Sequence, residues 1–211
     1  MTQQRMRRDY TGLPLAESRA PKDPLDLFHR WLAAAFRAGV TEPNAMTLAT
    51  VDGRGRPRAR MLLMKAADER GFTFYTNQAS AKGHELAAHP DAAMVFWWPR
   101  LHRSVRIEGT VRPVSAREAD AYFATRPRGA QLGAWTSQQS RVLPSRSALD
   151  RAHARTLARF PHGPVPRPPY WGGYRLRARV IEFWQGRPDR LHDRLRYKRR
   201  PGGWKLERLA P

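Results

Sequence analysis

Met46-Thr47-Leu48-Ala49-Thr50-Val51, then Asp52-Gly53-Arg54-Gly55, then, two residues on, Arg58-Ala59-Arg60-Met61-Leu62-Leu63-Met64-Lys65: two strand-like runs flank a turn with two glycines. Such a pattern reads as a β-hairpin, because the turns that match strand twist need left-handed backbone, which Gly and Asp tolerate. Downstream, 72–76, 92–98, 105–111, 174–184 and 191–198 have the same texture, and the last can fold back through Pro201-Gly202-Gly203 onto 204–209. About seven strands with few helices between them argue against a doubly wound parallel sheet. The fold class predicted is mainly β (α+β), an antiparallel barrel with appended helices.

The helices lie around this set. Asp23 is placed to cap, and Pro24 to open, a helix whose Leu25, Phe28, Trp31, Leu32, Ala35 and Phe36 recur at three-to-four spacing up to Gly39. A short helix is predicted over 82–88, another from Ser115, where Glu118 completes capping-box spacing, and a third over 147–160. Residues 161–173 hold five Pro and three Gly and read as a loop, and residues 1–22 read as an irregular arm.

Composition narrows the function. The chain has 211 residues, 41% hydrophobic and 10% aromatic, enough for a proper core in one domain. It has no cysteine, which removes disulfides, thiolate nucleophiles and Cys-based metal sites. No apolar run reaches the ~20 residues of a membrane span, and the first residues lack an apolar signal core, so a cytoplasmic protein is expected. The net charge of +21 would suit a polyanion, but only five of the 39 basic residues are Lys and the arginines are dispersed, which argues against nucleic acid as the partner.

Four clusters join cations, hydroxyls and rings at element ends. Arg60 to Lys65 is an apolar run between two cations, equally a buried strand whose ends reach solvent. Tyr75-Thr76-Asn77 with Ser80 and Lys82 runs into a helix start, where an anion site and a plain cap are both possible. Tyr122 to Arg128 ends a helix with arginines that its dipole alone would explain. In Glu182 to Arg194, a strand would put Arg190, His192 and Arg194 on one face, suited to an anion or aromatic ligand or else a solvated barrel exterior. There is no G-x-S-x-G, H-E-x-x-H, P-loop or G-x-G-x-x-G after a strand, so any chemistry is expected to be a cofactor's.

In this order the clusters resemble the pyridoxine (pyridoxamine) 5′-phosphate oxidase family. The matching residues are Arg7-Arg8-Asp9-Tyr10, Asp23-Pro24-Leu25, Arg60 to Lys65, Phe74-Tyr75-Thr76-Asn77, Arg126-Pro127-Arg128, Gly133-Ala134-Trp135, Trp171-Gly172-Gly173, Ile181 to Gly186, Arg190 to Arg194 and Arg208 to Pro211. The resemblance implies an FMN-binding split β-barrel over residues 23–211, working as a homodimer with FMN at the subunit interface. Residues of about 170–211 would form the dimerisation and substrate segment, and residues 1–22 a mobile lid.

By matching positions, Arg60, Met61, Leu62, Leu63, Met64, Lys65, Tyr75, Thr76, Lys82, Gln139, Ser140, Trp184 and Arg194 would contact FMN. Lys65, Tyr122 and Arg126 would grip the substrate phosphate, Arg7, Arg8, Asp9 and Tyr10 would cover the substrate, and Arg190, Leu191 and His192 would face its pyridine ring. Arg190 and His192 are the catalytic candidates, and no metal is implied. The implied reaction moves a hydride from C4′ of pyridoxamine or pyridoxine 5′-phosphate to flavin N5, and O₂ reoxidises the flavin to give H₂O₂ and pyridoxal 5′-phosphate. Three positions depart from the family: Ala81 replaces an Arg near the FMN phosphate, Ser104 a flavin-contacting Gln, and Ala130 a phosphate-binding Ser. Alternatives are a split-barrel flavin oxidase for another aromatic substrate, of the phenazine-biosynthesis type, and a non-catalytic protein binding B6 phosphate or nucleic acid.

Overall fold

The computed structural model describes Tyr10 and residues 12–211. Of the predicted lid, Arg7, Arg8 and Asp9 lie outside the described residues. Helix α1 (Pro24–Arg37) starts as its sequence dictates: the Asp23 carboxylate accepts the Leu25 N–H at 2.9 Å and Pro24 fills the first turn. It buries Leu27, Phe28, Trp31 and Ala35, while Phe36, at the edge of the predicted stripe, is 74% exposed.

Nine strands follow: β1 (Ala45–Val51), β2 (Pro57–Leu63), β3 (Ala66–Asp68), β4 (Gly71–Asn77), β5 (Asp91–Trp98), β6 (Arg103–Pro113), β7 (Trp171–Gln185), β8 (Asp193–Arg200) and β9 (Gly203–Arg208). Between them lie α2 (Ala81–Ala88), α3 (Ala116–Ala124), α4 (Arg128–Thr136) and α5 (Arg146–Arg159). All pairings are antiparallel, in the order β2-β1-β5-β6-β7-β4-β3, with β8 also on β7 and β9 on β8. Strand β7 makes the split: one edge follows β6, while the other pairs first with β4 through Leu176 and then with β8 from Val180. At the fork β6 and β7 lose register between Glu108 and Gly109, leaving Arg179 as the extra residue. Gly109 is required there, because a Cβ would lie 2.1 Å from the Arg177 carbonyl oxygen.

The curled sheet wraps a core that α1 closes. Phe28 meets Phe72 and Phe96 at 5.1 and 5.2 Å between ring centroids, and Trp31 meets Phe183 at 5.2 Å. A second cluster, Phe123, Leu132, Val165 and Trp171, seats α3 and α4 beside the start of β7. Among the described residues no helix is long and apolar enough to cross a membrane.

Several predicted boundaries move. The run predicted to Lys65 ends as a strand at Leu63, after which the Met64 and Lys65 N–H groups pair with Asn44 and Thr73 carbonyls and carry the chain across to β4. Residues 171–173, read as loop, open β7 by pairing with β4. Helix α4 was not predicted. The largest correction concerns 191–198: β8 starts at Asp193, and Asp189 and Arg190 have positive φ values of 53° and 62° in a 3₁₀ turn opened by Pro188. Strand periodicity therefore does not hold Arg190, His192 and Arg194 on one face.

Candidate functional site

The predicted site residues gather in two places. The first is a cleft of about 740 Å³ between β2, β4, α3 and α4, lined among others by Met61, Lys65, Tyr75, Tyr122, Arg126 and Gln139. Tyr75 and Tyr122 stack at 3.9 Å and 16°, and Trp171 lies nearly parallel to Tyr75 at 5.6 Å. Arg126, in the short link between α3 and α4, places its guanidinium 4.7 Å from the Trp171 ring centre. Burial lowers the Arg126 pKa, and its Nη1 is buried without a hydrogen-bond partner among the described residues. A buried donor left open is costly and marks a place where an acceptor belongs. Neighbouring Arg128 is different: both its terminal nitrogens donate to the Phe160 and Gly163 carbonyls, a structural role.

Behind the cleft wall sits Lys82, 6% exposed, in the first turn of α2. Its Nζ donates to Thr76 Oγ1 at 3.0 Å, Ser80 Oγ at 2.8 Å and Gln139 Oε1 at 2.9 Å. All three partners are neutral. Burial first, and then the Arg60 charge, pull its pKa down from 10.5 to about 8, against an opposing influence of Glu85. Thr76, Lys82 and Gln139, far apart in sequence, are thus brought together. Arg60 points into the barrel wall, with Nη2 on Glu85 Oε2 at 2.7 Å and Nη1 on Thr50 Oγ1 and the Leu48 carbonyl. Ala81 opens α2 on the surface, and Ala130 lines the cleft with no hydroxyl to offer. Ser140 follows Gln139 with a φ of 75° and is exposed.

The second place is the outer face of the sheet. Cross-strand register puts Trp97, Ser104, Trp184 and Arg194 side by side across β5, β6, β7 and β8. Short Ser104 leaves the Trp97 and Trp184 indoles 5.9 Å apart, and both line a pocket of about 320 Å³ with Val95, Ser104, Arg106 and Glu182. Trp97, 47% exposed, was not singled out in the sequence; its position opposite Ser104 becomes visible only with the register. Glu182 lies between Arg194 Nε at 2.8 Å and Arg106 Nη2 at 2.6 Å. Burial raises its pKa, but the two guanidinium bonds outweigh that and leave it lowered.

Next to this row Trp184 packs on His192 at 4.6 Å, and Tyr10 packs on His102, His192 and Trp184 at 4.5, 5.6 and 5.7 Å. Gly186 makes room for Tyr10, since a Cβ there would be 2.7 Å from its ring. His192 Nδ1 accepts the Arg187 N–H at 3.1 Å, so the proton of the neutral ring sits on Nε2. Arg190 and Leu191 are exposed on the turn before β8. The arm is tied down by carboxylates and carbonyls: the Leu15 N–H donates to Asp193, and Arg208 bonds Glu17, Asp193 and the Leu15 carbonyl.

Among the described residues none lines both the cleft and the outer-face pocket. Lys65, Tyr122 and Arg126 are in the first place; Trp184, Arg194 and His192 are in the second. A groove of about 550 Å³ along Thr47, Met61, Val95 and Trp97 runs between them on the outer face.

Residues 32–159 match the family described as Pyridoxamine 5′-phosphate oxidase, and residues 171–211 match the Pyridoxine 5′-phosphate oxidase C-terminal dimerisation region. Similar proteins include the pyridoxine/pyridoxamine 5′-phosphate oxidase of Pseudomonas paraeruginosa, 56% identical over 98% of this chain and 97% of that protein. The protein of the same name from Rubrobacter xylanophilus is 55% identical over 98% of this chain and 95% of its own length. Among solved structures, PhzG from Burkholderia lata 383, in complex with tetrahydrophenazine-1-carboxylic acid, superposes with a TM-score of 0.90 at 35% identity, covering 97% of this chain and all of that one. A pyridoxamine 5′-phosphate oxidase-related, FMN-binding protein from Nostoc punctiforme shares the fold at a TM-score of 0.69 and 19% identity, over 94% of this chain and all of that one.

Proposed function

The chain belongs to the pyridoxamine 5′-phosphate oxidase family, and from that premise we propose that it is an FMN-dependent oxidase converting pyridoxamine or pyridoxine 5′-phosphate to pyridoxal 5′-phosphate. The observation that carries this reading is the unpartnered, buried Nη1 of Arg126 beside Lys65 and Tyr122 in one cleft. Two cations and a phenol suit a phosphate dianion, to which they give charge-assisted hydrogen bonds. The residues present also fit FMN: Lys82 is buried with three neutral partners and no carboxylate bonded to it, a charge short of an anion. When bound, FMN supplies the hydride acceptor and returns the electrons to O₂ as H₂O₂.

The chain's own part is to bind, orient and cover. Lys82, Thr76 and Gln139, with Arg60 next to them, would hold the cofactor phosphate, and Lys65, Tyr122 and Arg126 the substrate phosphate. Arg190 and His192 would face the pyridine ring, with His192 Nε2–H as the donor that its Arg187 contact leaves available. These two groups stand away from the cleft in one chain, so we assign the complete site to a homodimer. The cleft of one copy would be finished by Trp184, Arg190, His192 and Arg194 of the other, with FMN between them. The match of 171–211 to a dimerisation region supports this, because β7, β8 and the turn between them carry those four residues. Tyr10, packed on His192 and Trp184, places the arm where it would cover such a site as a lid.

The test is to purify the protein, record its visible spectrum with and without added FMN, and add pyridoxamine 5′-phosphate in air. The expected result is flavin bands with aldehyde and peroxide formed in equal amounts. Bound flavin without aldehyde would overturn the substrate, and no flavin uptake would overturn the reading.

A further inference from the structure

Glu85 stands in the middle of the charges just described and has no role so far. It lies one turn after Lys82 on α2, 9% exposed, and its Oε2 accepts from Thr50 Oγ1 at 2.6 Å and from Arg60 Nη2 at 2.7 Å. Arg60 is spent on this wall: its other terminal nitrogen serves Thr50 and the Leu48 carbonyl. Arg60 and Glu85 are also the two charges that act on Lys82, with opposite signs. The phosphate site proposed above therefore contains Arg60, Lys82 and Glu85, a net charge of one, against a phosphate monoester carrying about −1.5 to −2. Ala81 adds nothing to the positive side.

We propose that Glu85 is a positioning residue that attenuates this site: it fixes the Arg60 guanidinium while cancelling its charge, so FMN is held less tightly than the two cations alone would hold it. The inference rests on the FMN reading. It confines the effect to the phosphate, since among the described residues the carboxylate accepts hydrogen bonds from Arg60 and Thr50 alone. Riboflavin, which has the same ring system and no phosphate, is the natural control.

The experiment is a fluorescence titration of wild type, Glu85→Gln, Glu85→Asp and Ala81→Arg with FMN and with riboflavin. Glu85→Gln keeps the size and both hydrogen bonds and removes the charge; its FMN Kd is expected to fall about tenfold with riboflavin unchanged. Glu85→Asp keeps the charge and is expected to keep the wild-type preference for FMN over riboflavin. Ala81→Arg adds a cation at the surface and is expected to tighten FMN alone, which keeps the charge argument testable should Glu85→Gln fail to fold. Equal shifts for FMN and riboflavin in Glu85→Gln, a weaker FMN complex, or no effect of Ala81→Arg would overturn the inference. Wild-type protein that takes up neither flavin would instead bring down the FMN reading and the inference with it.

Discussion

In the cleft, Arg126 keeps a buried nitrogen without a partner among the described residues, and behind its wall Lys82 rests on three neutral oxygens; on the outer face, Arg106, Arg194 and Arg208 are each closed by a carboxylate. Both regions combine cations with aromatic rings, so residue type alone does not separate them. Pairing does. A buried cation with no counter-ion carries a desolvation cost that a bound anion relieves, whereas a cation already paired holds elements together. On the proposed reading the cleft would hold anions, whereas the cations of the outer face join neighbouring strands.

The comparison breaks or sharpens at defined points. The largest effect is expected for Arg126→Ala: on the proposed reading, loss of the charge-assisted contact of its open nitrogen with the substrate phosphate, about 3 kcal/mol, lowers kcat/KM for pyridoxamine 5′-phosphate by roughly a hundredfold. FMN titration of the same variant should match wild type, and a small change in kcat/KM would mean the open nitrogen is not the phosphate anchor. On the outer face, Glu182→Ala takes the shared carboxylate from Arg194 and Arg106, leaving Arg106 only Glu108, and is expected to cost about 2 kcal/mol of stability, read as a lowered denaturation midpoint. An unchanged midpoint would show that paired charge there is not structural.

The third point is pH. Lys82 loses its proton at about 8 in the folded chain and near 10.5 when unfolded. The folded state therefore binds fewer protons between those values, and stability of the cofactor-free protein rises as pH increases from 8 towards 10.5 and levels off above. On the FMN reading the cofactor is expected to show the opposite slope, because an anion prefers the ammonium form: its affinity should fall as pH rises through about 8. Lys82→Met should remove that step, and an unchanged pH profile in the variant would assign the phosphate to other groups. The smallest effect is expected for Ala130→Ser, which adds a hydroxyl to the cleft lining and should lower KM a few-fold, measured at fixed FMN saturation. A raised KM would place the substrate phosphate elsewhere in the cleft.

Much of this was legible in the chain. The Asp23-Pro24 start of α1 and the Asp52 turn follow local rules that tertiary structure did not override, and the Asp52 carboxylate accepts the Arg54 and Arg56 N–H groups as such a turn requires. What was lost depends on long-range partners. Helix α4 holds Gly129 and Gly133 and follows Pro127 directly, a weak local signal; it is kept by Leu132 in the second core cluster and by Gln131 donating to the Phe123 carbonyl. The turn at Asp189 and Arg190 was masked by the apparent alternation of Arg190, His192 and Arg194, although Pro188 was the cue. Glu85 could not be read at all, because its partners come from β1 and β2 and only burial gives its charge meaning.

The division of the site between two copies is the central claim, and it can be tested by complementation. Arg126→Ala disables the cleft and His192→Ala the outer face, each leaving its chain with one intact half. Refolding the two inactive variants together should form mixed dimers with one complete site each, restoring roughly a quarter of wild-type oxidase activity for random pairing of a two-fold dimer. No recovery, with mixed dimers confirmed by mass, would mean that each chain builds its site alone and would contradict the account.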